Sequence, residues 1–197
     1  YNSRYQGFTP PSRPTAHAVT GQGEVNIYWD DAAEYSRDVV TGYADFEGYK
    51  IYKSRDGGNT WGNPDDMIYD TDGIFAGWRP YRQYDLSAEE DSLHCVYSRG
   101  FDCPEDSRRG HPINGQDPYF PWFSLGTDTG LDAIKLDEPV VINGDTMRYM
   151  FKDQNVTDGL EYTYSVVAYD MGVEPPFKET YAAVSYTHLR AHETLTD

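Results

Sequence analysis

Long apolar runs are missing from this chain, and no stretch approaches the roughly 20 apolar residues that a bilayer-spanning helix needs. Runs of alanine, leucine, glutamate and lysine that would sustain a surface helix are scarce too. Basic residues are few: 16 lysines and arginines stand against 33 acids, for a net charge of −17. Phosphate backbones are bound by clustered Lys and Arg that displace counterions, so this balance argues against nucleic acid and against an anionic membrane as partners. Cysteine is limited to Cys95 and Cys103. Two thiols this close in a polar loop read as a local disulfide in an oxidising compartment, with two free thiols as the alternative. The chain also lacks a Gly-x-Ser-x-Gly elbow, and no carboxylate pair stands out from the many acids, so no catalytic residue is assigned.

What is present favours strands and turns. The 197 residues include 18 tyrosines, 18 glycines and 12 prolines, and 15% are aromatic. Rings and β-branched residues suit a pleated surface, while Gly, Pro and Asp suit turns. Val25-x-Ile27-x-Trp29 alternates, as do Tyr49-x-Ile51 and Met147-x-Tyr149-x-Phe151. Tyr162, Tyr164, Val166 and Ala168 share one face of a further strand, which is expected to be half buried. By the same alternation Lys50 and Tyr52 are expected to face out. Asp56-Gly57-Gly58-Asn59 reads as a hairpin turn, and Tyr181 to Tyr186 as a closing strand.

The order of these elements resembles a fibronectin type III domain. Trp29 stands where that family has its second-strand tryptophan, and Val156 to Ala168 resembles its sixth strand, with Tyr162 at the tyrosine-corner position. The segment Asp45 to Ser54 is also similar to modules of large secreted or surface proteins of environmental bacteria. The resemblance implies an all-β, immunoglobulin-like two-sheet sandwich, with Tyr162 sending its hydroxyl to nearby backbone. It implies an extracellular or cell-surface location and work in spacing, adhesion or docking. The partner would be a protein or a polysaccharide at the cell surface. Residues 1–11 read as a linker and 12–186 as the domain, interrupted by a loop-rich insertion over 62–144. The tail 187–197 resembles translated sequencing adapter, which removes His188 and His192 from consideration as a ligand pair. A start at Tyr1 is expected of a piece of a longer protein.

The insertion carries too many large rings for a solvated linker. Its rings make either a second small core or a ligand surface; Trp61, Trp78, Tyr81, Tyr119 and Trp122 are the candidates for stacking on sugars. A carbohydrate-binding accessory domain is accordingly the alternative function, and a glycosidase or sialidase fragment a more distant one. Ser54 to Trp61 matches the Asp-box pattern, which is a local turn rather than a catalytic motif. Asp70-Thr71-Asp72-Gly73 resembles the opening of a calcium loop but lacks its further ligands, so Asp70 and Asp72 are the calcium candidates and no other cofactor is expected. Asp30, Asp31, Asp128 and Asp132 could converge on a cation. His94, Cys95, Cys103 and His111 have the wrong spacing for structural zinc.

Overall fold

A computed structural model describes residues 9–118 and 120–172 of the chain. Eleven strands and one short helix are laid out in these residues: β1 Ala16–Gly21, β2 Glu24–Trp29, β3 Phe46–Ser54, β4 Met67–Tyr69, β5 Phe75–Trp78, β6 Arg82–Asp85, α1 Ala88–Leu93, β7 Gly115–Gln116, β8 Ser124–Gly126, β9 Lys135–Ile142, β10 Asp145–Asp153 and β11 Thr163–Asp170. Every pairing is antiparallel. One sheet has the order β1-β2-β10-β9 and another the order β11-β3-β6, with β4-β5 and β7-β8 as separate two-stranded ribbons. The expected closing strand at 181–186 and the tail 187–197 lie outside the described residues.

The alternating strands supply one shared core. Val25, Ile27 and Trp29 of β2, with Tyr149 and Phe151 of β10, meet Phe46, Tyr49 and Ile51 of β3 and Tyr164, Val166 and Ala168 of β11. The architecture is all-β and sandwich-like. Trp29 stacks on Tyr149 at 5.8 Å and meets the edge of Tyr49 at 5.6 Å. Rings of this size each remove ~150–250 Å² from water. At ~25 cal/mol per Å² that is ~4–6 kcal/mol gross apiece, before chain entropy is charged against it.

Two expectations are corrected. The β3 and β11 strands are not half buried, because their outer face is covered as well. Tyr52 is buried beneath Trp61, and Thr163, Ser165 and Tyr169 are buried alongside the alternating set. Part of that cover is β8: Lys50 donates to the Ser124 carbonyl at 3.0 Å, and Gln83 of β6 donates to Leu125 O and to the Tyr169 hydroxyl. The turn at Asp56 does not open a β-hairpin either. Asp56 accepts from Ser54 Oγ, Thr60 N and Thr60 Oγ1 and closes a tight local turn, yet β3 pairs with the distant β6 and β11. Strands β6 and β9 come from the span 62–144, so part of that span is built into the two sheets.

Buried carboxylates fix how the elements meet. Asp85, at the end of β6, is fully buried and accepts from the amides of Thr127 and Asp128 at 2.7 Å and from the Thr129 hydroxyl. Gly126 is needed beside it, since a Cβ there would stand 2.5 Å from an Asp85 oxygen. Asp153 of β10 does the same between the sheets. Its carboxylate receives Lys53 Nζ at 2.7 Å, the Tyr164 hydroxyl at 2.8 Å, the Tyr81 hydroxyl at 3.0 Å and Asn155 N at 2.9 Å. The Lys53 ammonium lies within 6 Å of the Tyr81, Tyr162 and Tyr164 rings. Tyr162 itself precedes β11 and is only partly buried, and its hydroxyl accepts from Thr157 N at 3.0 Å.

These two tyrosine-rich contacts differ in what their loss exposes. Asp153→Ala leaves a buried ammonium unpaired and is expected to cost about 3–5 kcal/mol. Tyr162→Phe removes one peripheral hydrogen bond and is expected to cost about 1 kcal/mol. Urea unfolding of both variants checks this, and equal losses would contradict the reading of Asp153 as the buried tie.

Candidate functional site

The segment between β2 and β3 is organised by acids. A 3-10 turn over Ala32–Tyr35 buries Ala33 and is closed by Ser36 Oγ on the Ala33 carbonyl. The buried Asp38 carboxylate accepts from Val40 N, Thr41 N and Thr41 Oγ1, and from Thr9 N at 2.6 Å. Asp38 N pairs with the Tyr43 carbonyl, and Gly42 supplies the positive φ of 72° that the return requires. This tight tip leaves Val39 and Val40 in water, 57% and 49% exposed.

A second loop lies against the first. Cys95 and Cys103 form a disulfide with a Cα–Cα distance of 6.0 Å. Cys95 N bonds Gly100 O, and Val96 N bonds Ser107 O. A ring this short restrains the unfolded chain by ~2.5 kcal/mol in the loop-closure picture. The two loops are joined by Ala44 N on the Val96 carbonyl at 2.6 Å and by an edge contact of Tyr43 with Tyr97 at 5.4 Å. Arg99 then crosses from the disulfide loop to the turn. Its guanidinium stacks on Tyr35 at 3.9 Å, bonds the Tyr35 hydroxyl, and reaches Glu34 at 3.0 Å and Asp31 at 3.2 Å. The other oxygen of Glu34 accepts from the core hydroxyls of Tyr149 and Tyr49.

Beneath the loops lies a buried ionic cluster. Arg109 reaches Glu47 and Asp91, each at 2.8 Å, and the Phe46 carbonyl, while Asp91 also accepts from Ile113 N at 2.7 Å. Burial pushes the Glu47 and Asp91 carboxyls up. Burial, with Asp170 and Asp38 adding repulsion, pushes Asp45 up to about 7. Burial and the nearby Arg109 hold His94 down to about 4.

The resulting surface is a fused pair of loops presenting Tyr35, Val39, Val40, Tyr97 and Phe101, the first four about half exposed or more. Asp31, Glu34, Asp38 and Arg99 are committed to holding the loops together. No family model, curated protein or solved structure matches this chain. Its chemistry is therefore read from the geometry alone, and that geometry offers apolar contact area on a stiff support.

The sequence-nominated residues are dispersed. Trp61 packs on Tyr52 at 6.4 Å beside Gly58 in the Asp56 turn. Trp78 sits on β5 against Phe75, and Trp122 lies between Phe120 and Phe123 with its Nε1 buried and unpartnered. Tyr81 is drawn into the core by Phe151 and Asp153. Among the described residues no two of these four rings touch, and Tyr119 lies outside the described residues. Asp70 accepts from Asp72 N and Ile74 N, which is turn chemistry. Among the described residues no group of three or more His, Cys, Asp or Glu could hold a metal ion. With both cysteines in the disulfide, His94 and His111 have no thiolate to share a zinc with. Asp31 is committed to Arg99, and Asp128 accepts from Asn114.

The titrating groups give a pH test. Asp45 holds its proton to about pH 7 when folded and to roughly pH 4 when unfolded. The folded state therefore binds more protons in that window, and stability falls as pH rises from 4 to 7. His94 acts oppositely below about pH 6.5, where the unfolded imidazole takes up a proton that the folded one refuses. Glu47, which burial pushes up to about 10, adds a proton difference of the same sign as Asp45 throughout this range. Melting temperature is expected to rise on acidification from about pH 8 to 6.5 and more gently below that, where His94 opposes. In Asp45→Asn the rise should shrink; an unchanged profile would contradict the assignment.

Proposed function

We propose that this chain is a non-catalytic extracellular module, built on a fibronectin type III-like sandwich, that spaces and docks partners through the fused β2–β3 and Cys95–Cys103 loops. Several features support the sandwich assignment: β1, β2 and β10 in one sheet with β9 at its edge, β3 with β11 in the other, a buried Trp29, and a Tyr162 hydroxyl returned to upstream backbone. The disulfide supports an oxidising compartment. Among the described residues no helix is long and apolar enough to cross a membrane.

One observation carries the docking role. Tyr35, Val39, Val40, Tyr97 and Phe101 stay exposed on loops fixed by a disulfide, a buried aspartate and an arginine clamp. Loops on a rigid scaffold are where binding residues concentrate, and preorganised apolar groups avoid the ordering cost of association. Asp31, Glu34, Asp38 and Arg99 beside them are engaged in structural contacts, which supports contact rather than chemistry.

The test compares the wild type with a Val39→Ser/Val40→Ser variant on arrays of extracellular proteins and of glycans. Protein binding weakened at least about tenfold in the variant, a change of ~1.4 kcal/mol, is the expected result. Melting curves should coincide, because both side chains are exposed. Binding confined to glycans and indifferent to the double substitution would instead favour a carbohydrate-binding accessory domain.

A further inference from the structure

The ribbon of β4 and β5 carries a second set of exposed rings, separate from the loop surface. Pairing sets Met67 opposite Trp78 and Tyr69 opposite Phe75, so these four side chains share a face. Phe75 meets Tyr69 at 6.3 Å and Trp78 at 5.7 Å, with interplanar angles of 76° and 69°. The Tyr69 hydroxyl lies 3.5 Å from the Met67 sulfur. Tyr69 is 49% exposed, Phe75 46%, and Ile74 at the turn 64%. A two-stranded ribbon is marginally stable by itself, and leaving its ring face in water withholds burial that would steady it.

The charge around this face is mainly acidic. Asp65 and Asp66 stand just before β4, and Asp70 and Asp72 stand in the turn that leads to β5. Asp66 and Asp70 cap these bends through Asn63 N and through Asp72 N and Ile74 N. None of the four carboxylates enters an ion pair among the described residues, and Arg79, next to Trp78, forms none either. The rings thus lie between two acidic pairs, one at each end of the ribbon, with Arg79, whose amide bonds the Asp66 carbonyl, as the cation at the Asp65–Asp66 end.

Ring geometry and charge together select an occupant. Rings tilted by about 70° leave notches instead of the level platform on which a pyranose stacks. A guanidinium or ammonium over a ring face is attracted by the ring's negative face, and carboxylates at both ends extend the complementarity. A second copy of the chain would bring the same acids and a net charge of −17, so like charges oppose it. We propose that the β4–β5 ring face docks an extended arginine- or lysine-bearing segment of a partner protein, with its cations over Tyr69, Phe75 and Trp78 and between the two aspartate pairs. This surface is independent of the fused loops, and either can fail without the other.

The test uses fluorescence anisotropy with a labelled Gly-Arg-Val-Arg-Val-Arg-Gly peptide and its glutamine analogue. Salt is kept at about 0.15 M, where screening beyond ~8 Å suppresses diffuse attraction. The arginine peptide should bind the wild type and lose at least about tenfold in Phe75→Ala and in Asp65→Asn/Asp72→Asn, while the loop variant Val40→Ser retains it. The glutamine peptide should bind weakly. Absence of arginine-peptide binding, or binding indifferent to Phe75→Ala, would overturn the proposal. So would cello-oligosaccharide binding, or self-association in the ultracentrifuge, that Phe75→Ala abolishes in place of peptide binding.

Discussion

The Arg109 guanidinium sits inside the protein between Glu47 of β3, Asp91 of α1 and the Phe46 carbonyl, and the position of the inserted region follows from it. Burying such a group costs several kcal/mol unless its partners are close and well placed. Here two carboxylates surround one cation, which is one negative charge too many for a dry site. Burial resolves this by pushing the Glu47 carboxyl up to about 10, and a hydrogen bond with Asp91 adds to the shift. One charge pair then remains. Through Asp91 the same knot fixes Ile113, and through Arg109 N on the His94 carbonyl it fixes the root of the disulfide loop.

The same device recurs wherever irregular chain meets a sheet. Asp38 gathers the amides of the β2–β3 tip, Asp85 those of the segment after β8, and Asp153 ties β10 to Lys53 of β3. Carboxylates accept several short hydrogen bonds at once, so each can satisfy backbone donors that no ladder reaches. Part of the large acidic surplus is therefore structural. The remainder stays on the surface, where it biases which partners approach.

The core was legible because it is local. Period-two alternation in Val25–Trp29, Tyr49–Ile51, Met147–Phe151 and Tyr164–Ala168 puts these side chains in one cluster without knowledge of the rest. Ile142-Asn143-Gly144-Asp145 was an equally local signal that went unread: Asn143 and Gly144 both take positive φ and turn β9 into β10. The second buried face of β3 and β11 had no such signal. Its cover comes from Trp61 and Ser124–Gly126, whose periodicity is poor and whose contacts are long-range. At the loop surface the two cysteines were readable from their closeness, whereas the Arg99 clamp joins residues more than sixty positions apart. Aromatic counting proposed Trp61, Tyr81 and Trp122 as binding rings, but large rings are good packing material, and Tyr81 has its hydroxyl on a buried aspartate.

What distinguishes exposed rings that pack from exposed rings that bind is where the stabilisation of their support comes from. Trp61 contributes to its own surroundings by covering Tyr52, so its partial exposure is incidental to a structural contact. Val39 and Val40 stand on a loop already held by Asp38 and tied by Arg99 to the disulfide loop, and their outer surfaces add little to the loop that carries them. Contiguous exposed apolar groups are a common mark of contact sites, whereas single ones are ordinary. Rigidity of this kind lowers the entropy lost on association. A support stabilised from beneath by Arg109, Glu34 and the disulfide can present apolar side chains that it does not itself need, and that separation is the physical basis of the contact role proposed for these loops.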